Sequence, residues 1–370
     1  MKFSYWENKT WLSNIDFVIV GSGIVGLNCA LELRLKHPKS KIVVLEKGLV
    51  PYGASTRNAG FACFGSLTEI LSDLDSHSTL EVYELIKKRV SGLRRLRNLL
   101  GDKQIKYKQL GGNEIFLEND TEKLHHSLAK MNDINELIEP LFNDKVFILN
   151  RNTFNFKRTL DEIIFNKFEG QIDTGEMMDS LLNKVLKSNI KIINNVSVKS
   201  YEDIGSSVQV CTDQFSLSCN KLFIATNGFS DAIIKEKVVP ARAQVLITKP
   251  IKNLSAIGTF HLEKGYYYFR NIDDRILLGG GRNLDFQAEN TNEFGVTDTV
   301  QSKLEQLLTE VILPQTDFEI DQRWSGIMGI GNKKTTITKQ LSNNVYCGVR
   351  LGGMGVAIGT NVGSELANLI

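Results

Sequence analysis

Two short apolar runs stand near the start of the chain, Ile15-Asp16-Phe17-Val18-Ile19-Val20 and Lys41-Ile42-Val43-Val44-Leu45. Both are rich in β-branched residues and barely interrupted by polar ones, the pattern of strands buried on both faces of a parallel sheet. Between them Leu27, Ala30, Leu31 and Leu35 recur at helical spacing and predict a helix over 27–36. The same alternation returns over 172–227, where Met177, Met178, Leu181, Leu182, Val185 and Leu186 predict a helix ahead of a strand at 190–193. A closing helix is expected over 362–369.

Two stretches break this rhythm. Residues 79–143 carry helical stripes, first Val82, Leu85, Ile86, Val90, Leu93, Leu96 and Leu100, then Leu124, Leu128, Met131 and Ile134. Residues 241–323 alternate instead, as in Gln244-Val245-Leu246-Ile247-Thr248, which predicts an antiparallel sheet. They also hold one helix with Val300, Leu304, Leu307 and Val311 on a face.

The turn after the first strand reads Gly21-Ser22-Gly23-Ile24-Val25-Gly26, and Glu46 follows the second strand twenty positions after Gly26. Gly21 permits a sharp exit from the strand, Gly23 lets the backbone approach a pyrophosphate, and Gly26 lets the helix lie close to the sheet. The N–H groups at the helix start carry partial positive charge toward phosphate. Glu46 can accept two hydrogen bonds from a ribose and so favours a 2′-hydroxyl over a 2′-phosphate. Strand, glycine turn, helix, second strand and terminal acid together form a dinucleotide-binding fingerprint. NAD and FAD share it. The N-terminal position of the motif favours FAD, as does a second small-residue loop, Gly53-Ala54-Ser55-Thr56-Arg57-Asn58-Ala59-Gly60.

Composition narrows the field further. The 370 residues are 42% hydrophobic and 23% charged, enough for large cores and incompatible with wholesale disorder. A net charge of +2 lacks the cationic excess of a nucleic-acid or membrane-surface protein. The cysteines Cys29, Cys63, Cys211, Cys219 and Cys347 are scattered and form no C-x-x-C pair, so a disulfide scaffold or zinc site is not expected. The N-terminus has no apolar leader, and no apolar run approaches the ~18 residues of a membrane span. A cytoplasmic location is the expectation.

The ordered series of motifs resembles the D-amino acid oxidase superfamily of flavoenzymes, which includes glycine, sarcosine and gamma-glutamylputrescine oxidases. After the two N-terminal loops come Glu169-Gly170-Gln171-Ile172-Asp173-Thr174-Gly175 and Asn195-Val196-Ser197-Val198. Leu222-Phe223-Ile224-Ala225-Thr226-Asn227-Gly228 follows, then Tyr266-Tyr267-Tyr268-Phe269-Arg270 with Arg275-Ile276-Leu277-Leu278-Gly279-Gly280, then Trp324-Ser325-Gly326. The series closes on Gly348-Val349-Arg350-Leu351-Gly352-Gly353-Met354-Gly355-Val356-Ala357. The resemblance implies an α/β fold. In it a discontinuous Rossmann-like FAD domain (1–78, 165–240 and 325–370) carries an inserted α+β substrate domain on an antiparallel sheet (79–164 and 241–324).

The resemblance also implies residue roles. Gly21, Ser22, Gly23, Ile24, Gly26, Glu46 and Lys47 are expected at the ADP half of a non-covalent FAD, with Val198, Ala225, Thr226, Asn227 and Gly228 beside it. Ala54, Ser55, Thr56, Arg57, Asn58, Ala59 and Gly60, with Gly352, Gly353, Met354, Gly355 and Val356, are expected at the flavin half. Aligned through Arg275 and Gly279, Tyr267 matches the tyrosine that touches substrate in glycine oxidase relatives and is expected to face substrate; alternation sends it to the opposite face from Tyr266 and Tyr268. Arg350 is expected to fork onto a substrate carboxylate. Both residues have plainer readings, as sheet packing and as a surface or flavin-supporting arginine. A second carboxylate-clamping arginine of glycine oxidase relatives is replaced by Ile327-Met328, which argues against a simple amino-acid substrate, and the pattern Tyr267-Tyr268-Phe269-Arg270 with Arg275 to Gly280 leans toward the amine-oxidising branch. Cys63 and Cys347 lie close in sequence to the flavin loops, but small buried thiols there read as packing. His125-His126 and the basic run from Lys87 to Arg97 read as solvated helix faces.

The expected reaction is oxidation of the C–N bond of a small amine or amino acid, by hydride transfer to the flavin and hydrolysis of the imine. Oxygen or another acceptor would reoxidise the flavin. A dehydrogenase feeding a protein or quinone, a non-catalytic FAD-bound subunit, and an NAD-linked dehydrogenase are the other readings.

Overall fold

The computed structural model describes residues 2–370, and two eight-stranded sheets dominate it. In the first sheet, Lys191–Ile193, Ile42–Leu45, Ile15–Val20, Ser216–Ile224 and Val345–Val349 lie side by side in parallel, with Ile337–Ser342 antiparallel at the edge. Two further strands, Val198–Asp203 and Val208–Thr212, extend from Ser216–Ile224 as an antiparallel meander. Ile15–Val20 and Ile42–Leu45 are buried almost throughout, as their β-branched composition predicts, and Ser216–Ile224 is continuously buried at its carboxyl end. Their register aligns Val20 with Leu45 and with Ile224, so their carboxyl ends form one edge.

The helix Ile24–Lys36 packs on this sheet beside the closing helix Gly355–Ala367, which starts earlier than the sequence pattern predicts. The two helices approach closely through glycine: a Cβ on Gly363 would lie 2.6 Å from the Val25 carbonyl oxygen.

The second sheet runs in the order Ile320–Ile330, Val239–Thr248, Arg275–Gly280, Tyr267–Ile272, Thr259–Leu262, Gly112–Glu114, Glu162–Asn166, Phe147–Arg151. One face buries Leu246, Leu262, Tyr267, Phe269 and Leu278 against Val300, Leu304 and Leu307 of the helix Asp298–Leu307. The other face turns toward the first sheet. A two-stranded ladder joining Phe61–Ala62 to Gly170–Gln171 lies between the halves.

The domain boundaries expected from sequence need adjustment. Those at 240/241 and 324/325 fall inside two paired strands, Val239–Thr248 and Ile320–Ile330, which belong whole to the second sheet. The helix Thr79–Leu100, expected with the substrate domain, straddles both units. Its Leu93, Leu96 and Leu100 join the core of the parallel sheet, while Val82, Ile86 and Val90 join a core with Phe64, Leu67 and Ile138. The cause is a close crossing at Gly92, where a Cβ would stand 2.0 Å from the Ala357 carbonyl oxygen. No side chain fits there without moving the closing helix. Gly92→Val is therefore expected to cost about 2–3 kcal/mol of overpacking strain, read as a lowered urea midpoint.

Candidate functional site

One cavity of about 810 Å³ runs from the carboxyl edge of the parallel strands to the inward face of the second sheet. Its position outside the strand ends is where open α/β sheets bind ligands. At the nucleotide end it is lined by Gly21, Gly23, Ile24, Glu46, Lys47, Val198, Ala225, Thr226 and Asn227. Gly21 sits at φ +102°, and a Cβ there would meet the Ala225 carbonyl oxygen at 2.9 Å. A Cβ on Gly26 would meet the Gly21 carbonyl oxygen at 1.9 Å. The turn is thus built by glycine at its tight contacts, and the helix start behind Gly23 opens on the cavity.

Glu46 is nearly buried and is held from two sides. Its Oε2 accepts from the Ser22 N–H (2.9 Å) and the Ser22 hydroxyl (2.6 Å), and its Oε1 accepts from the Gly48 N–H (2.9 Å). Oε2 is filled by its two bonds from Ser22, and Oε1 keeps lone-pair capacity for a ribose hydroxyl. The Thr226 hydroxyl, also on the cavity wall, is buried and has no protein partner. A pre-set carboxylate, an unpartnered hydroxyl and a glycine-walled helix start fit the ribose and pyrophosphate of a dinucleotide.

Farther along, Ala54, Ser55, Arg57, Asn58, Ala59 and Gly60 form one wall, and Gly352, Gly353, Met354, Gly355 and Val356 the other. Both loops are rigidly tied. Asn58 Nδ2 donates to the Ser55 carbonyl (2.8 Å) while its Oδ1 accepts from the Gly60 N–H (2.9 Å). Buried Arg270 donates to the Ala59 carbonyl, and burial pushes its guanidinium down to about 10. The Asn227 side chain accepts from the N–H groups of Arg350 (3.1 Å) and Leu351 (3.2 Å). Gly352 and Gly353 take left-handed backbone, φ +61° and +84°, and deliver the chain into the closing helix. That helix also starts at the cavity, so its dipole favours negative charge there.

Several expected contacts are corrected by the structure. Ser22, Gly26, Thr56 and Gly228 do not line the cavity. Ser22 is buried beneath it as the support of Glu46, and Gly26 and Gly228 are close-packing positions. Thr56 faces outward, its hydroxyl donating to the Pro51 carbonyl (2.8 Å). Ser55 lines the cavity, and its Oγ accepts from the Ile24 N–H (3.0 Å), so one expected phosphate donor is engaged. Arg57 lies over the Phe294 ring at 4.3 Å and the Tyr52 ring at 5.0 Å, and it donates to the Ser325 carbonyl (3.1 Å).

The larger corrections concern the two proposed substrate residues. Tyr267 is 1% exposed and packs in the core under Asp298–Leu307, away from the cavity. Alternation operates as expected, but the face that meets the cavity carries Tyr266 and Tyr268. Burial pushes the Tyr267 and Tyr268 hydroxyls up to about 12, so both stay protonated across the neutral range. Arg350 takes left-handed backbone, φ +65°, and its Nε donates to the Thr335 carbonyl at 2.8 Å. It anchors the 331–336 loop and does not reach the cavity. At the place of the second carboxylate-binding arginine, Ile327 and Met328 form an apolar wall.

Other cavity residues were not singled out from sequence. His261, Glu69, Asp73, Lys264, Arg282 and Lys334 all line it. Lys334 Nζ lies 2.5 Å from an Asp73 oxygen and 3.6 Å from Glu69. Burial raises the Glu69 carboxyl, but Arg89 and Lys334 overcome this and hold it below the usual range. Glu69 and Asp73 stand four apart on one helix, a spacing legible in sequence, but the cavity they face is not.

The model of the family described as "FAD dependent oxidoreductase" (DAO) matches residues 16–369. The chain belongs to this family of FAD-dependent oxidoreductases. Among curated relatives, the probable oxidoreductase OrdL of Haemophilus influenzae is 22% identical, across 98% of this chain and 84% of that protein. Among solved structures, glycine oxidase from Bacillus cereus aligns with a TM-score of 0.77 at 15% identity, over 96% of each chain. L-proline dehydrogenase from P. horikoshii aligns with a TM-score of 0.72 at 17% identity, over 96% of this chain and 93% of that one. At these identities the likeness establishes the fold that FAD-dependent oxidoreductases of this type share. No helix among the described residues is long and apolar enough to cross a membrane.

Because Arg350 serves the 331–336 loop, Arg350→Ala is expected to change the KM of a reducing substrate by less than about threefold, since it removes no ground-state contact. Steady-state or rapid-mixing flavin reduction measures this. A carboxylate clamp would instead lose on the order of a hundredfold.

Proposed function

We propose that the protein oxidises the C–N bond of a small amine or amino acid, with a non-covalently held FAD as electron acceptor. The observation that carries this reading is the continuity of the cavity. The nucleotide-binding turn, the two loops expected at the flavin, and a sheet face bearing Tyr266, Tyr268 and His261 share one space. When bound, the flavin supplies a hydride acceptor; the protein supplies position, exclusion of water and electrostatics.

The inward wall of Tyr268, Phe61, Ile327 and Met328 forms a low-polarity chamber in which a neutral amine is favoured over its ammonium form. The apolar Ile327-Met328 pair, in place of a carboxylate-binding arginine, supports a substrate richer in amine than in carboxylate. The names of structurally similar proteins, glycine oxidase and L-proline dehydrogenase, fit this chemistry. They also span both fates of the electrons, to oxygen or to another acceptor.

Non-covalent attachment is supported by the thiols. Burial pushes the Cys63 thiol, on the cavity wall, well above its ordinary range, and a neutral thiol is a poor nucleophile. Cys347 is fully buried, off the cavity, and its thiol is pushed up to about 11, burial being the main cause. Acid precipitation is expected to release all the flavin into the supernatant.

The test of the reaction is anaerobic mixing with a panel of amines and amino acids. The flavin is expected to bleach with at least one of them, and substrate-linked peroxide on admitting air marks an oxidase. A panel without bleaching contradicts the reading. Glu46→Ala is expected to weaken FAD binding at least about tenfold, read by release of fluorescent flavin on dilution.

A further inference from the structure

The inward face of the second sheet carries one row of side chains in register. Glu114 pairs with His261, His261 with Tyr268, Tyr268 with Gly279, Gly279 with Val245, and Val245 with Trp324. The Tyr268 ring lies across Gly279, whose missing Cβ would stand 2.6 Å from it. Within this row His261 is the one imidazole. It lines the cavity beside Phe61, with ring centroids 5.3 Å apart, and Phe61 in turn contacts Tyr268 at 5.5 Å.

The back of the imidazole is fixed. His261 Nε2 lies 2.6 Å from Glu169 Oε1, and that oxygen also accepts from the Thr259 hydroxyl at 2.7 Å. Glu169 is 1% exposed, and its Oε2 has no protein partner. A carboxylate accepts and does not donate, so it selects the tautomer with the proton on Nε2. Nδ1 then keeps its lone pair, and no protein hydrogen bond reaches it. A buried acid, an oriented imidazole and a free nitrogen at a cavity wall form a base with its orienting partner.

We propose that His261 Nδ1 accepts the proton of the substrate's ammonium group in the cavity, with Glu169 as the positioning residue that holds the ring and stabilises the imidazolium. This rests on the amine-oxidising reading above. The ammonium N–H bond breaks, the Nδ1–H bond forms, and the nitrogen electron pair stays on the substrate. No oxidant takes part in this step. The neutral amine is the form from which a hydride can leave the adjacent carbon, since its lone pair becomes the C=N bond. An ammonium has no pair to give.

The charged surroundings suit this role. Glu169 lies behind the ring, Glu114 on the neighbouring strand, and Glu69 on the helix Leu67–Leu74 with its partners Arg89 and Lys334. The Cys63 thiol on the same wall is held neutral by burial. Burial alone would lower the His261 imidazole, but the surrounding carboxylates outweigh it, Glu169 foremost, and the net shift is upward. Burial raises the Glu114 carboxyl, against hydrogen bonds from Thr68 and Ser66.

The test measures two quantities on the FAD-loaded protein: the pH profile of anaerobic flavin reduction by a reducing amine, and the titration of His261 by NMR of histidine-labelled protein. Wild type is expected to gain rate as pH rises through the His261 midpoint. Glu169→Gln removes the charge that favours imidazolium, so both the NMR midpoint and the acidic limb are expected to move to lower pH together. His261→Gln is expected to abolish that limb and slow reduction about a hundredfold, with FAD content unchanged. An acidic limb that stays in place in both variants, set by the amine alone, overturns the proposal while leaving amine oxidation intact. So does an Nδ1 that stays protonated throughout the wild-type titration. If His261→Gln fails to retain FAD, the paired shift in Glu169→Gln decides. If no amine reduces the flavin, it is the amine-oxidising reading that fails, and the NMR titration still reports whether Nδ1 is free.

Discussion

The parallel register of three strands sets the whole arrangement. Val20, Leu45 and Ile224 end side by side, and the chain must leave each end without closing the edge. Gly21 makes this possible at the first strand by turning against the Ala225 carbonyl, and Gly26 lets the next helix settle on that turn. A side chain at either position would push helix and sheet apart. The open edge that results is where Glu46, Thr226 and the start of Ile24–Lys36 converge. A nucleotide held there is oriented by backbone geometry before any side chain contributes.

The second sheet completes the site because its two faces do different work. One is closed by the helix Asp298–Leu307 and becomes core. The other remains open to the cavity and is tied to the first unit. Arg270 reaches the Ala59 carbonyl from one side, and Trp324 Nε1 donates to the Arg57 carbonyl (3.0 Å) from the other. The inward sheet face and the loop 54–60 are therefore tied into one assembly, which positions groups along the cavity more accurately than two separately mobile loops would.

The features legible in sequence were the local ones. The glycine turn, Glu46 and the second loop follow from contiguous residues, and the structure puts most of them on the cavity wall. Period-two alternation correctly separated Tyr267 from Tyr266 and Tyr268. Which face meets the cavity depends on a helix about thirty residues downstream, which closes the Tyr267 face and leaves Tyr266 and Tyr268 on the cavity. Arg350 lay in the right loop, but its left-handed backbone and the Thr335 carbonyl direct the side chain elsewhere. His261 and Glu169 are 92 positions apart and meet through strand order alone. A single sequence carries no local sign of such a pair. The domain boundaries drifted for a related reason, since the strands 239–248 and 320–330 pair with each other across a long insertion.

The central claim is that one chain-spanning cavity holds FAD between the first strand-turn-helix and the closing loop. Calorimetric titration of FAD into flavin-stripped protein tests it most directly. The account predicts saturable binding of one FAD per chain that NAD does not displace. Heatless titration, or displacement by NAD at equal concentration, would contradict it.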